Sequence, residues 1–67
     1  MRKEMYMVTG HHNHGFVAEY PVASSAAEAK ALVMSELREM AKPWRIKRVT
    51  VAVYMTADEL EQYGGAE

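Results

Sequence analysis

Two apolar runs of period two, Glu4 to Thr9 and Phe16 to Ala23, meet across Gly10-His11-His12-Asn13-His14-Gly15. Alternating runs joined by a short stretch rich in Gly, Asn and His are the pattern of a β-hairpin, and this constrains the fold more than any other feature of the chain. In the first run Met5 and Met7 alternate with Tyr6 and Val8, as in a strand with both faces partly covered. In the second, Phe16, Ala18, Tyr20 and Val22 fall on one side and Val17, Glu19 and Pro21 on the other. Pro21 has no N–H for a ladder, so the run is an edge strand or its pairing ends there.

A helix follows. In Ser25-Ala26-Ala27-Glu28 the serine hydroxyl caps the Glu28 amide and the glutamate returns to the Ser25 amide. Ala26, Ala29, Val33, Leu37 and Met40 then form one stripe, flanked by Leu32 and Ala41, and Pro43 ends the helix by disfavouring helical geometry at Lys42. Val49 to Met55 is the most hydrophobic segment, rich in β-branched residues, and reads as a central strand. Thr56-Ala57-Asp58-Glu59 opens a short last helix with Leu60 and Tyr63 on one side, closed by Gly64-Gly65. The expected fold is α+β: a three-stranded antiparallel sheet, ββαβα in spatial order 2-1-3, with one main helix on one face and a short C-terminal helix.

With 67 residues the chain forms one domain, spanning 1–67. A core of that size supplies only about 3–5 kcal/mol. It has no cysteine, so no disulfide or thiolate metal site supports the fold, and self-association is the remaining aid. A net charge of -1 argues against a globally basic nucleic-acid binder but permits a local patch. No stretch is apolar over the length of a membrane span or signal peptide, and a cytoplasmic protein is expected.

One helix covers one sheet face, and the other face is expected to carry several of Tyr6, Val8, Val17, Thr50, Ala52 and Tyr54. Either a second copy of the chain, the C-terminal helix or a foreign protein would cover it, which makes Tyr6, Val8, Tyr20, Thr50 and Tyr54 the candidate interface. A second candidate is the basic segment, where Lys42, Arg45, Lys47 and Arg48 surround Trp44: the cations suit phosphates or an acidic partner, and the indole suits a base. The favoured reading of the same segment is structural, with Trp44 as a lid on the core and the cations offsetting the acidic last helix or the C-terminal end of the first helix dipole. His11, His12 and His14 form a third candidate, a zinc or nickel site completed by Glu4 or Glu19, but their spacing matches no closed site and solvated loop histidines are the favoured reading.

Catalysis finds no support. Ser24 and Ser25 serve the helix start, no glycine-rich loop precedes a helix, and the carboxylates are scattered. In size and layout, though in no signature residue, the chain resembles the small proteins with which bacteriophages block host machinery, including inhibitors of CRISPR complexes. That resemblance implies stoichiometric protein binding. The expectation is a non-enzymatic binding protein without cofactor, acting on a protein partner or as a homodimer, with a nucleic-acid contact through residues 42 to 48 as the alternative and metal binding by the histidine turn third.

Overall fold

The computed structural model describes residues 2–65. The chain runs β1 (Glu4–His12), β2 (Gly15–Glu19), β3 (Val22–Ala23), α1 (Ala26–Ala41), β4 (Arg48–Met55) and α2 (Ala57–Gly65). The fold is α+β with an antiparallel sheet of four strands, in which β1 pairs with β2 and β3 on one side and β4 on the other. The expected second strand is thus split in two. β2 and β3 keep one register along β1, from His12↔Gly15 to Val8↔Glu19 and on to Met5↔Val22 and Glu4↔Ala23. The gap falls at Pro21, whose carbonyl accepts from the Tyr6 amide at 2.9 Å but which has no N–H to return. At the other end the hairpin turns through Asn13 and His14, with Gly15 at φ 135, a conformation that L side chains rarely adopt.

β1, rather than β4, is the central strand; among the described residues β4 is paired along one edge only. Residues opposite one another share a face, so Tyr6, Val8 and Gly10 lie on one side with Val17, Val49, Val51 and Val53, and α1 covers that side except at Val53, which is exposed. This corrects the expected open face. Tyr6 and Val8 are buried in the core with Ala23, Ala29, Val33 and Leu37, and Val17 packs against them, because α1 takes the even-numbered side of β1. The helix stripe is narrower than the sequence suggested: Ala29, Val33, Leu37 and Ala41 are buried at a spacing of four, while Ala26 and Met40 are exposed. Leu37 and Val8 are the largest fully buried side chains, so the core is small.

Both helices start on side-chain caps. The Ser25 hydroxyl accepts from the Glu28 amide at 3.1 Å, but the Glu28 carboxylate accepts from the amide and hydroxyl of Ser24 instead of returning to Ser25. In α2 the reciprocal box forms as written, with the Glu59 amide donating to the Thr56 hydroxyl and the Thr56 amide to Glu59. α2 meets the adjoining ends of β1 and β4, where Arg2 pairs with Asp58 and Glu61. The acidic helix therefore draws its cation from the N-terminus, not from residues 42 to 48. No described helix is long and apolar enough to cross a membrane.

Candidate functional site

The segment after α1 is fixed to the end of the hairpin. Lys42, which precedes a proline, leaves helical geometry at φ -51 and ψ 141, and the Trp44 amide donates back to the Ala41 carbonyl at 2.9 Å. Three residues on, the Lys47 amide donates to the His11 carbonyl at 2.7 Å, which docks the segment on β1. Ile46, half-buried, packs against the core. Its position lies over Gly10, and the next residue on that face of β1 is His12.

Trp44 lies against His12. The two rings are nearly parallel, with centres 5.2 Å apart and an interplanar angle of 10°. His14 approaches the same indole at 4.6 Å, tilted by 38°. The two imidazoles are 6.5 Å apart, and Trp44, between α1 and the hairpin, is 43 % exposed. Trp44 is thus a partly exposed platform at the hairpin tip and not a lid on the core.

A groove of about 720 Å³ runs from this platform between α1 and the start of β4. Lys30, Arg38, Lys42, Arg45, Lys47 and Arg48 line it, six of the eight lysines and arginines of the chain, and among the described residues no acidic side chain does. Met34, Pro43, Trp44, Ile46 and Val49 form its apolar floor and end. Like charges crowded in one concave surface build a positive potential even on a chain of net charge -1. Lys42 is also paired with Glu39 at 2.7 Å, in an exposed ion pair one turn apart.

Lys30 and Arg38 are missing from the sequence reading, although their signal is present. Lys30, Met34, Arg38 and Lys42 each follow a member of the buried stripe Ala29, Val33, Leu37 and Ala41 by one residue, so they line the flank of α1 beside its core face.

The other candidates are distributed differently. His11 lies on the face opposite Gly10, where its Nε2 is 3.2 Å from the Thr50 hydroxyl and its ring 6.4 Å from Phe16. His12 Nδ1 accepts from the His14 amide at 3.1 Å. The three histidines therefore do not converge. Glu4 is at the far end of β1 and Glu19 opposite Val8, away from the turn, and among the described residues no group of three or more His, Asp or Glu side chains is placed to hold a metal ion. Of the expected interface, Tyr20, Thr50 and Tyr54 remain on the open side of the sheet, with the Tyr20 and Tyr54 rings edge to face at 4.8 Å.

No protein-family model, curated protein or solved structure matches the chain.

Proposed function

We propose that the chain is a non-enzymatic cytoplasmic binding protein whose basic groove holds a single-stranded nucleic acid. Phosphates would follow Lys30, Arg38, Lys42, Arg45, Lys47 and Arg48, and one base would stack on the exposed part of the Trp44 indole. The observation that carries this reading is the gathering of six cations, one of them paired with Glu39, on one groove that has no carboxylate among its described lining residues and ends at an exposed indole. Backbone charge and aromatic stacking are the two terms by which proteins hold single strands, and stacking contributes about 1–3 kcal/mol per base. An indole beside a groove offers its face only to an unstacked base, which favours a single strand over a duplex.

The test is fluorescence anisotropy of a short labelled single strand, with wild type and the Arg45→Ala/Lys47→Ala variant. Tight binding by wild type at low salt, weakened in the variant, supports the proposal. Equal binding by both refutes it.

A second reading, stoichiometric binding of a protein by the open sheet face, is favoured by the exposure of Phe16 at 67 %, Tyr20 at 47 % and Tyr54 at 56 %. In that case Tyr54→Glu abolishes partner binding and leaves nucleic-acid affinity unchanged.

A further inference from the structure

β4 joins the composition of an interior strand to the position of an edge strand. Val49, Thr50, Val51, Ala52 and Val53 follow one another without proline or glycine, yet among the described residues only β1 pairs with them. Two hydrogen bonds give the direction of the unpaired backbone. The Tyr6 amide points to Pro21, so alternate residues Met7, Thr9 and His11 turn their polar groups toward β4, as the His11 carbonyl does in accepting from Lys47. Their partners Ala52, Thr50 and Arg48 face back to β1. The N–H and C=O groups of Val49, Val51 and Val53 are therefore directed outward from the sheet.

The two edges of this sheet are unlike. The β2 and β3 side is broken at Pro21 into two short strands, a common device against edge pairing, whereas on β4 the irregularity is the register shift beside Val53. We propose that a second copy of the chain occupies the β4 edge, pairing β4 with its own symmetry mate antiparallel about a two-fold axis perpendicular to the sheet.

Charge selects this partner. Antiparallel pairing brings the basic start of one β4, with Arg45, Lys47 and Arg48, beside the acidic end of the other, where Asp58 and Glu59 open α2. Both contacts form at once, because the two-fold axis repeats them. Val53, apolar and 51 % exposed beside the free edge, gains a neighbour across it. The axis leaves both α1 helices on one face, and the sheet doubles a core in which Leu37 and Val8 are the largest fully buried side chains.

Sedimentation velocity over a range of protein concentrations, without nucleic acid, tests the proposal together with amide hydrogen exchange. Wild type is expected to form dimers that dissociate on dilution and in high salt, with the Val49, Val51 and Val53 amides protected only in the dimer. Thr50 is exposed and near the middle of β4, so Thr50→Glu and Thr50→Lys each set like charges against the mate and are expected to be monomeric. Mixing the two variants restores association. A wild type that stays monomeric to its solubility limit, or a dimer in which those three amides exchange as fast as in the monomer, would overturn the proposal.

Discussion

Ile46 occupies the space that Gly10 leaves above the sheet: a Cβ on Gly10 would lie 2.8 Å from Ile46 Cδ1 and 3.3 Å from Cγ1. This contact sets the height at which residues 43 to 47 cross the hairpin, and with it the position of Trp44 and the neighbouring cations. Gly10→Ala is expected to cost up to about 1–3 kcal/mol by overpacking and to weaken oligonucleotide binding, because the Ile46 side chain has to shift and the segment that carries the site is packed through it. Ile46→Val removes Cδ1 and restores part of both losses in the double variant. Urea denaturation and anisotropy measure the two effects; an unchanged affinity in Gly10→Ala would separate this contact from the site.

Leu37→Ala is expected to leave little folded protein. Such truncations cost about 2–5 kcal/mol in a well-packed core, and the whole domain is stable by only about 3–5 kcal/mol. Leu32→Ala, on the exposed side of the same helix, changes stability by about 0.5 kcal/mol or less. Thermal unfolding followed by circular dichroism distinguishes the two.

Stability is expected to fall at both ends of the pH range. Hydrogen bonds from the Ser24 hydroxyl and amide hold the Glu28 carboxyl below its ordinary range. A depressed carboxyl pKa contributes stability that is present above the unfolded-state value and lost as pH falls through the folded one. Burial, assisted by the charge of Glu4, raises the Tyr6 hydroxyl above its ordinary range, and this contribution is present below the unfolded-state value and lost as pH rises through the folded one. Melting temperatures across pH should show a smaller acid slope in Glu28→Gln and a smaller alkaline slope in Tyr6→Phe. Slopes identical to wild type would exclude these groups.

Period and capping made most of this fold legible. The hairpin, the start of α1 and the reciprocal cap of α2 follow from residues a few positions apart, which is the range over which such patterns act. Which face α1 covers is a long-range choice, and Tyr6 and Val8 show why it was misread. β1 is central and apolar on both sides, so alternation alone does not say which side meets the helix. β4 has an interior composition in an edge position, and no local pattern encodes strand order. The site was half legible: residues 42 to 48 stand out as a charge run, whereas Lys30 and Arg38 join them only through the helix spacing.

The histidine turn is expected to be insensitive to metal. His12 and His14 contact Trp44 while His11 lies near Thr50 across the sheet, so dialysis against EDTA should leave the melting temperature unchanged. His12→Ala should instead alter Trp44 emission and weaken oligonucleotide binding by loosening the platform. A chelator-induced drop of many degrees in melting temperature would make the turn a structural metal site.

Trp44 is the only tryptophan of the chain, so its emission reports on the proposed site directly. Titrating the protein with a single-stranded oligonucleotide at several salt concentrations is expected to quench that emission. If all six cations engage the backbone, log K falls against log salt with a slope of about -4, reduced by about 0.7 for each of Arg45→Ala and Lys47→Ala. Emission that stays constant at low salt up to saturating oligonucleotide, or a salt slope identical in wild type and in both variants, would contradict the groove as a nucleic-acid site.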